Sequence, residues 1–142
     1  MTGEWHEFEV ETKPEEGFAN PVYFFDITRN LQASVEGRND GLLHVFVPHT
    51  TCTLIMNSGF DGTTLHDIRC FIENQVPTSG PFVHLHDGPQ DAAAHVRSLF
   101  GVNSLTLPVR SGKLAISESQ GVYLLELDGP RKRTVMVAEA SF

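Results

Sequence analysis

Cysteine is scarce in this chain, with two thiols among 142 residues. Two cysteines are too few for a disulfide framework, and a chain of this length can bury a hydrophobic core without one. Cys52 lies in an apolar, strand-like run and Cys70 in a helical pattern. We therefore interpret both as small buried hydrophobic side chains.

Positive charge and long apolar runs are scarce as well. Lys and Arg number 10 against 18 Asp and Glu, for a net charge of −8. This balance argues against a partner with a phosphate backbone, so no nucleic acid is expected. No run approaches the roughly 20 apolar residues of a membrane span, and no basic-then-apolar segment opens the chain. We expect a cytoplasmic protein with no membrane association.

Familiar catalytic motifs are missing too: there is no phosphate loop, no dinucleotide-binding glycine motif and no serine nucleophile elbow. What the chain has is a 40% apolar composition and no Pro/Gly/Ser-rich linker. These features predict a single domain over residues 1–142.

The hydrophobic pattern predicts mostly strands, and helical spacing follows Asp26, Asp61 and Asp91. The last predicted helix begins at Asp91 and stops at Gly101. The predicted strands cover residues 5–12, 22–25, 42–47, 51–56, 105–109, 113–116, 122–127 and 133–139, and a turn covers residues 14–17. Strands outnumber helices and are joined mostly by short turns, so the predicted fold class is α+β with a largely antiparallel sheet.

The densest group of chemically active side chains lies in the twelve residues from His84 to His95, which hold three histidines and two aspartates. Asp91 and His95 are four residues apart on a predicted helix, so they share one face. A carboxylate there can orient the imidazole or bind a metal beside it, or it can simply complement the helix dipole. His86 is two residues from His84 in an extended segment, so only one of the two is expected to face the site.

His49 supplies a further imidazole from a distant part of the chain, where it follows Pro48 at the end of a predicted central strand. His49, His84 and His95 would bind a first-row divalent ion, zinc being the best match, and leave one position open for water or substrate. The spacing matches no standard zinc signature. The predicted metal site therefore rests on the density of ligands rather than on a motif.

Two pairs of charged residues are further candidates. Asp61 and Asp67 flank a predicted helix start, where Asp61 could fold over towards Asp67; alternatively, Asp61 caps the helix and Asp67 faces solvent. Arg131 and Arg133 would point to the same side of a strand. Such an arginine pair can clamp a phosphate or carboxylate group, or it can form salt bridges at a sheet edge.

Taken in order, the motifs of the chain resemble those of the YjbQ family, also called UPF0047 or secondary thiamine-phosphate synthases. The match runs from about Phe8 to the C-terminus. Each motif is short, so the order and spacing of all the motifs together are more specific to the family than any single motif. The motifs are Pro48-His49-Thr50-Thr51, then Asn57…Asp61…Asp67, then His84…Asp91…Ala94-His95, then Gly101…Pro108…Gly112-Lys113-Leu114, then Gln120-Gly121, then Glu126…Asp128-Gly129-Pro130-Arg131…Arg133.

The resemblance implies a single compact α+β domain with a curved, mostly antiparallel sheet, barrel- or sandwich-like, and two or three helices. It implies a homotrimer and a polar pocket that contains His49, His84, Asp91 and His95, with a bound divalent metal, zinc or else magnesium. It also implies a thiamine phosphate synthase activity. That reaction joins a pyrimidine methyl diphosphate to a thiazole phosphate, so the substrates are small phosphorylated molecules.

Under this reading, each candidate residue takes a role. His49, His84 and His95 are metal ligands, and Arg131 and Arg133 bind phosphate. The candidate catalytic residues are Asp67, as an acid–base group, together with Asp91 and His49.

The chain departs from the family pattern at two positions, since Ser58 replaces the usual glutamate and Ser119 the usual tryptophan. These departures keep two other functions open. One is a metal-dependent hydrolase of a small phosphorylated substrate, and the other is a non-enzymatic ligand-binding or assembly module.

Overall fold

The computed structural model of the chain describes residues 3–13 and 22–142. The turn predicted for residues 14–17 lies outside the described residues. In chain order, the strands and helices of the described part are β1 (Trp5–Glu11), β2 (Tyr23–Asp26), α1 (Thr28–Val35), β3 (Gly41–Phe46), β4 (Cys52–Ser58), α2 (Thr63–Gln75), α3 (Gly88–Arg97), β5 (Ser104–Arg110), β6 (Lys113–Leu114), β7 (Gln120–Glu126) and β8 (Lys132–Ser141). A 3₁₀ turn at Ser98–Phe100 follows α3.

The strands form two antiparallel sheets. Five strands in the order β1-β8-β3-β5-β6 make the larger sheet, which curls into a half-barrel, and β2-β7-β4 make the smaller one. All the strand pairs of the described residues are antiparallel. The predicted class, a single compact α+β domain with a curved antiparallel sheet, is confirmed.

β7 is the centre of the molecule because it is buried on both faces. Val122 and Leu124 pack into the main core with α1 and the inner face of the half-barrel. Leu125 points the other way, into a second cluster with Ile72 of α2 and Ala94 of α3. A strand covered on both faces needs a continuous apolar run rather than an alternating one, and residues 122–125 provide it. This packing lays α2 and α3 against the small sheet.

The helix starts explain where the candidate ligands fall. α3 begins at Gly88, three residues before the predicted start, with a proline in its first turn. Proline is tolerated there because the first backbone N–H groups of a helix need no partner within the helix. Asp91 therefore lies within the first turn of the helix. None of the described helices is long and apolar enough to cross a membrane.

Candidate metal centre

Three of the predicted residues converge on one face of α3. His84 comes from the loop that precedes the helix, and Asp91 and His95 lie one turn apart on it. The Nε2 atom of His84 is 3.3 Å from Asp91 Oδ2, and the Nε2 atom of His95 is 3.2 Å from the same oxygen. The potential ligand atoms of the three residues all lie within 4.8 Å of one another. The structure thus brings two imidazoles and one carboxylate together.

Asp91 Oδ2 is buried and forms no well-aligned hydrogen bond among the described residues, although both imidazole nitrogens approach it. The side chain of Asp91 is 9% exposed, against 46% for His84 and 38% for His95. Neutral imidazoles would leave this buried carboxylate without a counter-charge, which a cation shared by the three residues would supply. Ligand atoms about 2.0–2.1 Å from one zinc ion are separated by about 3.3–3.4 Å in tetrahedral geometry. The two separations from imidazole nitrogen to carboxylate oxygen, 3.3 and 3.2 Å, lie close to that value.

Asp128, which is not among the predicted site residues, is the close neighbour of Asp91. It lies just after β7, and its side chain contacts that of Asp91. Burial raises the pKa of Asp91, but its contacts with Asp128 and His84 and the charges of His95 and His84 outweigh burial and hold that pKa below its usual range. The sequence signal for Asp128 is its place in the motif that ends at Arg133.

His86 does not point away as predicted. Its ring centroid is 4.6 Å from that of His84, in an edge-to-face arrangement, and the His84 and His95 centroids are 5.0 Å apart. The prediction was wrong because residues 86 and 87 form a turn rather than extended chain. His86 therefore adds an exposed imidazole at the edge of the cluster.

The structure does not bring His49 into this group. The Nε2 atom of His49 accepts a hydrogen bond from the backbone N–H of Thr134 at 2.9 Å. Burial and the nearby charge of Arg133 lower the pKa of His49. The neutral ring thus carries its proton on Nδ1, which leaves neither nitrogen a free lone pair for a metal. Two imidazoles and a carboxylate replace the predicted set of three imidazoles.

The two arginines do not form the expected pair on one strand face, because β8 begins at Lys132 and Arg131 lies before it. Arg131 is half exposed, and its Nη2 is 2.8 Å from Asp128 Oδ2. Arg133 is 4% exposed. Its Nε donates to Glu126 at 2.6 Å and its Nη2 to the Thr51 hydroxyl at 2.9 Å. Each arginine therefore forms a salt bridge, the second of the two roles predicted for the pair. Of the two, Arg131 faces solvent beside the site.

Asp61 and Asp67 do not belong to the cluster of His84, Asp91 and His95 among the described residues. Asp61 Oδ1 accepts the Thr63 N–H at 2.9 Å, so Asp61 binds the first residue of α2 rather than folding towards Asp67, although Gly62, not Asp61, holds the N-cap position. Asp67 is on the exposed face of α2 and is not among the grouped ligands.

The two departures from the family pattern are neighbours in the structure. Ser58 pairs with Gln120 across β4 and β7, and the N–H of Gly59 donates to the carbonyl of Ser119 at 2.8 Å. They lie at the start of β7, whereas Asp128 follows its end, and the six residue steps from Gln120 to Glu126 span about 20 Å of extended chain. Within this chain, both positions are therefore remote from the candidate ligands.

The chain is a small α+β protein in which a half-barrel packs on a small sheet and a His-Asp-His cluster lies on one face of α3. The profile of the family described as "UPF0047 protein YjbQ-like" matches residues 6–140. A UPF0047 protein of Archaeoglobus fulgidus is 42% identical over 119 residues, which cover 84% of this chain and 92% of that protein. The UPF0047 protein YjbQ of Escherichia coli O157:H7 is 35% identical over 68% of this chain and 70% of its own. The chain belongs to the UPF0047 family.

Solved structures agree with this assignment. A YbjQ-like protein of unknown function from Sulfolobus solfataricus P2 has a TM-score of 0.86 and 28% identity, covering 99% of both chains. A conserved hypothetical protein from Thermus thermophilus has a TM-score of 0.81 and 34% identity, covering 93% of this chain and 97% of its own. The fold is thus shared over nearly the full length of both relatives.

Proposed function

We propose that the protein is a metal-assisted transferase of the thiamine phosphate synthase type, with a divalent ion held by His84, Asp91 and His95. The observation that carries this proposal is the buried Asp91 oxygen, which forms no well-aligned hydrogen bond and has an imidazole nitrogen 3.2–3.3 Å away on each of two histidines. Imidazole suits zinc and other first-row ions, whereas magnesium prefers oxygen ligands, so zinc is the proposed metal.

The proposed reaction forms a bond between the pyrimidine methyl carbon and the thiazole and breaks the bond from that carbon to diphosphate. Bound metal would supply positive charge for the departing diphosphate. Arg131 is the cation that faces solvent beside the ligands, with Asp128 fixing one side of its guanidinium. Its remaining N–H donors would bind phosphate oxygens. Asp67 and His49 stay predicted catalytic residues.

Elemental analysis of untagged protein, with a thiamine phosphate synthesis assay, tests the proposal. We expect about one zinc per chain and metal-dependent product formation. His95→Ala should lose both, whereas His6→Ala, at an exposed position on β1, should keep both. The proposal fails if His95→Ala matches the unaltered protein in zinc content and in product formation.

A metal-dependent hydrolase of a small phosphorylated substrate is the second candidate. It is favoured by the exposure of both imidazoles, because a site open to solvent admits water as the nucleophile. A panel of phosphorylated substrates, assayed with and without a chelator, separates it from the transferase. A ligand-binding or assembly module is the third candidate, motivated by Ser58 and Ser119, and protein that contains no bound metal and turns over no substrate would favour it.

The proposal includes a homotrimer. Leu99, Phe100 and Val102 after α3 are exposed, as is Phe71 of α2, and the Phe71 and Phe100 rings are 5.8 Å apart. Exposed apolar groups that lie together mark interaction surfaces. Light scattering should give three times the chain mass, and the double variant Phe71→Ser, Phe100→Ser should give smaller species. Phe142→Ser, which removes an equally apolar exposed side chain elsewhere, is the matched control.

A further inference from the structure

Asp128 links the turn after β7 to the helix that carries two of the proposed ligands. The Nε2 of Gln90, in the first turn of α3, donates to Asp128 Oδ1 at 3.1 Å. Asp128 and Asp91 are each 7% exposed, so water does not compete freely around these side chains. Asp91 follows Gln90 directly on the helix, so its position depends on Asp128 through Gln90.

Asp128 is itself held from three directions. Its backbone N–H donates to Glu126 Oε1 at 3.1 Å. Arg131 donates from Nε to the Asp128 carbonyl at 2.9 Å and from Nη2 to Oδ2 at 2.8 Å. The Glu126 carboxylate is fixed in turn by the buried Arg133. A side chain anchored in this way can hold a neighbouring ligand in one orientation.

We propose that Asp128 is a positioning residue for the metal site: through Gln90 it fixes the first turn of α3 and thereby places Asp91 beside His84 and His95. The inference rests on the metal site of the proposed function. Groups that orient a metal ligand typically change metal affinity about 10–100-fold when they are removed. Asp128 would not touch the metal or the substrate, and it would act through Asp91.

The test is zinc titration by calorimetry on the full chain, together with visible spectra of cobalt-substituted protein. Asp128→Ala should weaken zinc binding about 10–100-fold and change the cobalt spectrum. Asp128→Asn should restore most of the affinity, because its amide oxygen can still accept the Gln90 hydrogen bond. Gln90→Ala, a milder change at a partly exposed side chain, should weaken binding in the same direction by less.

Glu118→Gln removes a carboxylate at an exposed position and is the matched control. Thermal unfolding of each metal-free variant separates lost stability from a changed site, because instability alone would leave the cobalt spectrum of folded protein unaltered. If His95→Ala loses zinc while Asp128→Ala and Gln90→Ala bind it with unchanged affinity and spectrum, the positioning role is wrong and the metal site stands. If the unaltered protein binds no zinc, both are wrong. Should Asp128→Ala not fold, Gln90→Ala and Asp128→Asn decide the question.

Discussion

Replacing Arg133 with methionine should cost far more stability than a surface arginine does, because Arg133 is the partner of a fully buried carboxylate. Glu126 is 0% exposed and Arg133 is 4% exposed. The two side chains form a two-point hydrogen-bonded pair, Nε to Oε2 and Nη2 to Oε1. Burial would lower the pKa of Arg133, but its hydrogen bonds and attraction to Glu126 outweigh burial and raise it. Arg133 is therefore charged in the folded protein.

The size of the effect follows from what the substitution leaves behind. Glu126 would keep only the Asp128 N–H, while the Thr51 carbonyl and hydroxyl would lose their contacts with the guanidinium. Removing one partner of a buried ion pair costs about 3–5 kcal/mol of unfolding free energy. At about 2–4 °C for each kcal/mol in a domain slightly larger than this one, the melting temperature should fall by roughly 6–20 °C.

Urea denaturation followed by far-UV circular dichroism measures this loss. Arg131→Met is the matched control, since the Arg131 side chain is 51% exposed and an exposed pair contributes about 0–1 kcal/mol. The double variant Arg133→Met, Glu126→Leu should recover much of the stability, because it removes the stranded charge. A loss below about 1 kcal/mol for Arg133→Met, or equal losses at the two arginines, would refute the reasoning.

Three further predictions concern thiols, protons and metal. Burial raises the pKa of Cys52 to about 12, so iodoacetamide at pH 8 should label Cys70 and leave Cys52 unreacted until the protein unfolds; labelling of Cys52 in folded protein would contradict its burial. The pKa of His49 lies below 6.5 in the folded chain, so the unfolded chain binds the extra proton first. Stability should therefore fall as the pH drops below 6.5, and denaturation of His49→Gln across that range should show a flatter profile. Zinc at about a hundredfold excess over its Kd should stabilise the protein by about 2.7 kcal/mol. Asp91→Asn should lose that stabilisation in thermal scans with and without chelator, and an unchanged zinc response would exclude Asp91 as a ligand.

Much of the fold follows from local sequence. Strand positions follow from apolar residues and turns, and β7 stands out because residues 122–125 form an unbroken apolar run. The shared face of Asp91 and His95 follows from helix geometry alone, since residues four apart meet on any α-helix. α3 begins three residues before Asp91, its predicted start, because the first turn of a helix accommodates a proline.

The rest of the site depends on how distant segments pack. His49 contacts Thr134 through a hydrogen bond between residues far apart in sequence, and this bond takes the lone pair that a metal would need. Arg133 is buried because Glu126 of β7 and Thr51, which are distant from each other in sequence, both lie against its guanidinium. Asp128 meets Asp91 only because α3 lies against the turn after β7. Local spacing sets which side chains share a helix face, whereas partners and lone pairs are set by packing between elements that are remote along the chain.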